Sequence, residues 1–250
     1  MNLEKTKGYA IITDWLATTE RQPFLFQQQT WQHIANGESG LVNAPTGFGK
    51  TYSVFLGSLI QFINQHPENY LTQKNNGLQL LWITPLRALA KDIGRAMEEV
   101  IAVLGLNWKI AIRNGDTSIS ERAKQKRQMP EVLIITPESL HLLLAQKGYP
   151  EIFQSLKIIA VDEWHELLGS KRGVQVELAV SRIVGSQESG VQRLEKATSD
   201  SPLTTHDCRV IVWGISATIG NLEEAKEVLL SALRPQIGRA SCRERVSVLV

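Results

Sequence analysis

Two short stretches of the 250-residue chain bring together residue types that can do chemistry. In LVNAPTGFGKTYSV, residues 41–54, Ala44, Gly49, Lys50 and Thr51 fit the pattern A-x-x-x-x-G-K-T. Gly47 and Gly49 let backbone N–H groups approach phosphate oxygens, Lys50 brings a cation to the β and γ phosphates, and Thr51 offers a hydroxyl to Mg²⁺. Ala44, Pro45, Thr46, Gly47, Phe48, Gly49, Lys50 and Thr51 thus read as one phosphate-binding loop. In IIAVDEWHELLGSKRG, residues 158–173, two chemistries compete. His165-Glu166 begins the zinc-protease pattern H-E-x-x-H, but that pattern needs a second histidine four residues on, and position 169 is Gly. Alternatively, Asp162 and Glu163 end a buried strand, where Asp162 orients Mg²⁺ and Glu163 orients and deprotonates an attacking water. The phosphate loop upstream favours the second reading. It names Lys50, Asp162 and Glu163 as the catalytic set, with Thr51 and Asp162 at the metal.

Both stretches need a scaffold that presents strand ends. Short apolar runs at Gly40–Ala44, Leu78–Thr84, Trp108–Arg113, Val132–Thr136, Ile158–Asp162 and Val210–Ser216 are rich in Val, Ile and Leu, as strands buried on both faces should be. Amphipathic segments alternate with them: Gln27–Ala35, Lys50–Asn64, Leu86–Leu104, Ser118–Gln128, Pro137–Ala145, Gly173–Val184 and Leu222–Ala232. That alternation predicts an α/β fold, a mostly parallel sheet with helices on both faces. Residues 66–76 read as a loop and 185–207 as a long polar connection, part helix, with no domain boundary inside 1–235.

With 43% hydrophobic and 21% charged residues, composition is that of an ordinary globular chain. No apolar run approaches the roughly 20 residues that span a bilayer, and MNLEKTKGYAIITDW lacks a signal-peptide core, so a cytoplasmic protein without membrane contact is expected. Cys208 and Cys242 have no metal-binding spacing. The formal charge of +2 sits in the last fourteen residues, so any nucleic-acid contact must come from local basic patches. Residues 237–246, IGRASCRERV, back-translate into the sequence of a common short-read sequencing adapter. The segment 236–250 is therefore expected to be non-native, the protein's own sequence running on from near Pro235.

In order along the chain, Gln27, APTGFGKT, TPLRALA, TPESL, DEWH and SAT resemble the motifs of the first RecA-like domain of superfamily 2 DExH-box helicases, over nearly all of residues 9–233. RNGDTSISER, TPESLHLLL and DEWHELLGSKRGVQVELA are similar to the Lhr-like (large helicase-related) group, and PFLFQQQTWQ to its DNA-ligase-associated branch, linked to DNA repair. The resemblance implies a RecA-like P-loop domain that binds ATP and Mg²⁺ and drives movement along DNA. Gln27 takes the place of the adenine-reading glutamine, although Gln28 and Gln29 offer the same side chain. Phe24 stacks near the base or packs in the core. Thr84, Pro85, Arg87, Thr136, Pro137 and Glu138 fall on the family's strand-contacting motifs, where helix N-termini and threonine hydroxyls bind successive phosphates; Arg113, Gly115 and Asp116 lie between them, and Lys171 and Arg172 form a small basic patch after the acidic box. His165, Ser216, Ala217 and Thr218 fall where hydrolysis is coupled to strand movement.

The resemblance also implies a second RecA-like domain outside this sequence, carrying the arginines that complete the ATP site. The chain alone is then expected to bind ATP weakly, to hydrolyse it poorly and not to unwind DNA. The branch implies a DNA ligase and a repair nuclease as functional partners. A nucleic-acid-binding module without turnover, or an RNA helicase, remains as an alternative.

Overall fold

In the computed structural model, the strands β1 (Ser39–Asn43), β2 (Leu80–Ile83), β3 (Ile110–Arg113), β4 (Val132–Ile135), β5 (Ile158–Val161), β6 (Ile211–Ser216) and β7 (Val246–Leu249) form one sheet in the order β3-β4-β2-β5-β6-β1-β7. Every neighbouring pair is parallel. The structure describes residues 2–197, 210–217, 219–233 and 246–249. Thr218, the 198–207 part of the polar connection, both cysteines and residues 236–245 lie outside the described residues.

Residue alternation along the strands splits the core into two layers. From β2, Leu80 and Trp82 face one side while Leu81 and Ile83 face the other. The first side is covered by α1 (Lys7–Thr18), α2 (Leu25–Ala35), α3 (Lys50–Gln65) and α4 (Arg87–Leu104), packed around Trp31, Phe55, Trp82 and Trp213. The second is covered by α6 (Pro137–Leu144), α8 (Trp164–Leu167), α9 (Lys171–Ala197) and α10 (Leu222–Leu230), around Leu140, Trp164, Val180 and Leu229. Between β3 and β4 lies α5 (Ile119–Arg127), and α7 (Tyr149–Ile152) is a single turn. No helix among the described residues is long and apolar enough to cross a membrane.

The six expected strands form, β1 shifted one residue toward the N-terminus and the other five shorter than their apolar runs. Among the described residues, α1, α7, α8 and β7 were not expected, and α9 is longer than its apolar pattern. α1 precedes the first expected helix and seats Gly8 against α3, where the Gly8 N–H donates to Asn64 Oδ1 at 2.8 Å. α9 runs 27 residues, past Val184 to Ala197, into the polar connection that was expected to be part helix. β7 lies within the tail and pairs with the outer side of β1.

Candidate nucleotide site and strand-contacting surface

The phosphate loop leaves β1 and enters α3. Gly47 (φ +89°) and Gly49 (φ +73°) adopt left-handed backbone, which explains the glycines by conformation. Lys50 is buried, and its Nζ donates to Ala44 O at 2.7 Å, folding the cation into its own loop. Burial lowers the lysine's pKa; the Glu163 and Asp162 carboxylates oppose that, placing both acids within electrostatic reach. Gln27 lies under the loop. Its Nε2 donates to Gly49 O at 2.9 Å and its Oε1 accepts from the Phe24 N–H at 2.9 Å. Of the three consecutive glutamines only Gln27 is buried. Phe24 is not core: it is 47% exposed, 5.6 Å from the Phe48 ring of the phosphate loop and 5.7 Å from Phe26.

At the end of β5, Asp162 is 6% exposed. Its Oδ1 accepts from the Glu163 N–H at 3.0 Å and its Oδ2 from Trp82 Nε1 at 3.4 Å. Burial, and then the neighbouring Glu163, push its pKa up to about 6, against the pull of Trp82, the Glu163 N–H and Lys50. Glu163 itself sits in left-handed backbone (φ +49°), uncommon for a residue with a side chain and costing about 1–3 kcal/mol. That turn swings Trp164 into the core, where its Nε1 donates to Ala225 O at 2.8 Å.

His165 Nδ1 lies 3.1 Å from Ser216 Oγ and 3.4 Å from Glu163 Oε2, and Nε2 lies 3.5 Å from Glu166 Oε1. Ser216 O in turn accepts from the Ala44 N–H at 3.3 Å. The acidic turn, the end of β6 and the start of the phosphate loop are thus joined in one chain of contacts. Half-buried Ala217 follows Ser216 in a bend. α8 has only four residues before Gly169 turns the chain at φ +67°, so no second helical turn follows His165 to carry another zinc ligand.

The strand-contacting residues divide. Arg172 Nε reaches Glu138 Oε1 at 2.7 Å and its guanidinium also donates to Pro85 O at 3.5 Å, linking the ends of β2 and β4 to the start of α9. Arg87 lies 3.6 Å from Asp116 and flat against Gly115, where a Cβ would come within 2.8 Å of it. Arg87, Gly115, Asp116, Lys171 and Arg172 are exposed. Against expectation, the threonine hydroxyls are not. Thr84 is fully buried with its Oγ1 unpartnered, and Thr136 Oγ1 donates to Ser139 Oγ at 3.2 Å. Both follow central strands covered on each face, so their side chains enter the core. Pro85 and Pro137 are also buried. Arg113 is 4% exposed and lies beside Arg122, burial first and the like charge second lowering its pKa. It supports the turn from within rather than presenting its charge on the surface. Trp82 and Glu166 were missed. Trp82 reads as core, its partner lying 80 residues away.

A parallel sheet with a phosphate loop after β1 and an acidic pair after β5 defines a RecA-like P-loop domain. The DEAD/DEAH box helicase family matches residues 24–225, and the chain belongs to it. Within it the chain is 33% identical to the Lhr helicase/uracil glycosylase of Escherichia coli (strain K12), over 72% of this chain and 12% of that protein. It is 36% identical to ATP-dependent helicase Lhr-Core protein 2 of Thermococcus barophilus, over 76% of this chain and 21% of that one. The solved structure of Mycobacterium smegmatis helicase Lhr bound to ssDNA and AMP-PNP superposes with a TM-score of 0.69 at 28% identity, covering 96% of this chain and 27% of its own. The chain therefore spans about an eighth to a quarter of the length of these relatives.

Proposed function

We propose that this chain is the N-terminal motor segment of an ATP-dependent DNA helicase or translocase, acting in the cytoplasm in DNA repair, with the DNA-ligase-associated branch as its place in the family. The observation that carries this is the continuous path from Lys50 and the phosphate loop, through Ala44 and Ser216, to His165 and Glu163. It joins a triphosphate site to the turn beside the exposed arginines. The similarity to an Lhr solved with ssDNA and AMP-PNP supports the same ligand classes here.

The donors at the site are hard oxygens, the Thr51 hydroxyl and the Asp162 carboxylate, which suit Mg²⁺ rather than a softer metal. Asp162, buried and holding its proton more tightly than usual, has the environment that a bound cation would relieve. Mg²⁺ when bound would neutralise charge on the β and γ phosphates. Lys50 exchanges Ala44 O for phosphate oxygen, and the loop N–H groups cradle the β phosphate. Glu163 holds a water in line with the γ phosphorus and takes its proton. His165, between Glu163 and Ser216, reports the state of that carboxylate to the end of β6. Beyond its bonds to Phe24 and Gly49, the Gln27 amide has a second N–H and a second Oε1 lone pair, so it can pair with the N6/N7 edge of adenine while still holding Gly49.

The test is ATP hydrolysis with and without single-stranded DNA or RNA, in the 250-residue chain and in a version extended to the relatives' length. The extended protein should show strand-stimulated turnover. Glu163→Gln should cut it about 10²–10⁴-fold with nucleotide still bound, and Lys50→Ala should weaken nucleotide binding itself. The 250-residue chain should hydrolyse poorly, because arginine fingers supply about 10³–10⁵ of such rates. Turnover undiminished by Glu163→Gln would overturn the assignment. Nucleotide binding without turnover in the extended protein would make it a binding module.

A further inference from the structure

A groove of about 900 Å³ lies beside the strand-contacting surface (920 Å³). It opens at Arg87 and Asp116 and follows edge strand β3 down between α4 and α5 to Lys109. Arg87, Lys91 and Arg95 recur every four residues along the α4 wall, so their charges are spaced about 6 Å apart along the axis. That is comparable to successive phosphates of an extended nucleic-acid strand. Lys124 faces them from α5. Lys91, Arg95 and Lys124 are exposed and form no ion pair with another described residue. Of the groove's acids, Asp116 is paired with Arg87, and Glu121 is turned back onto its own helix cap at Ser118. Glu98 stands at the far end of the same α4 row.

The floor carries a second signal. Gln125 is 8% exposed, and its Nε2 donates to Ile112 O at 3.1 Å. A carbonyl only accepts, so the amide orientation is fixed and Oε1 is left as a buried acceptor without a partner. The outward-facing Ile112 carbonyl is taken by Gln125 and also by Thr117 Oγ1 at 3.3 Å, and Asn114 O by Arg122. These two carbonyls are therefore already taken and are not offered to an added peptide strand. Cationic walls at phosphate spacing, with an unpartnered acceptor in the floor, fit a single nucleic-acid strand better than an acidic peptide.

We propose that single-stranded nucleic acid continues from the loops after β2, β3 and β4 into this groove, with phosphates on Lys91, Arg95 and Lys124 and a base N–H on Gln125 Oε1. This rests on the strand-binding reading above. Fluorescence anisotropy of the 250-residue chain at low salt, with dT oligomers of about 4 to 16 nucleotides, tests it. Affinity should step up once the oligomer is long enough to enter the groove. Lys91→Ala/Arg95→Ala/Lys124→Ala should abolish the step, leave the shortest oligomers bound as before, and reduce the salt slope by about 2, at about 0.7 per phosphate contact. Arg172→Ala should instead weaken oligomers of every length. A triple variant with an unchanged step and slope overturns the groove while leaving the strand-binding reading intact. Failure of the unsubstituted chain to bind any oligomer overturns both. A polyglutamate peptide that binds and is lost in the triple variant, with DNA binding unchanged, reassigns the groove to an acidic segment.

Discussion

His165 is the residue on which the most contacts converge at the site. Its Nδ1 can serve only one of Ser216 Oγ and Glu163 Oε2 at full strength, at 3.1 and 3.4 Å. A histidine shared in this way makes the carboxylate's position felt at the end of β6. His165→Ala should therefore leave ATP affinity within about twofold while the stimulation of hydrolysis by single-stranded DNA falls by about tenfold or more, a loss of at least ~1.4 kcal/mol of coupling. The measurement is the ratio of stimulated to basal turnover in the extended protein. An unchanged ratio would remove His165 from the coupling path. At the same scale, the Phe48 ring lies 5.6 Å from that of Phe24.

At the scale of elements, what the sequence made legible follows from burial. The six expected strands are covered on both faces and so read as unbroken apolar runs. α1 was missed although Ile12 and Leu16, four apart, line its buried face; the N-terminal stretch was weighed only as a targeting signal. α9 outruns its apolar pattern because its later turns are polar in sequence. Asp162 and Glu163 could be placed because they directly follow an apolar strand, and Lys50 because it opens the helix that follows the glycine loop after another. Whether Thr84, Thr136 and Arg113 face solvent could not, because that depends on how the chain turns on leaving the strand. The fit of α1 is itself testable. A Cβ on Gly8 would come within 2.5 Å of Ile60 O and 2.9 Å of Ile60 Cα, both backbone. Overpacking costs about 1–3 kcal/mol, against up to about 1 kcal/mol gained by replacing a helical glycine. Gly8→Ala should therefore lower the urea midpoint; an equal or higher midpoint would mean that α1 does not pack this closely on α3.

Across the whole molecule, the exposed arginines, the Phe24 and Phe48 rings and the groove are all open surface. The sheet order has a further consequence, in time. β1, which launches the phosphate loop, pairs only with β6 and, on its outer side, β7, both late in the chain, and Ser39 Oγ accepts the Val212 N–H across 173 residues of sequence. β3, β4, β2 and β5 need nothing beyond residue 161 to pair. Long-range parallel pairing is slow to form. In pulse-labelled refolding, amides of 80–83, 132–135 and 158–161 should gain protection before those of 39–43; simultaneous protection would contradict this order. During synthesis, the loop that is to grip ATP waits without its strand partner until β6 has emerged. The motif read first in the sequence is then among the last parts of the molecule to take shape.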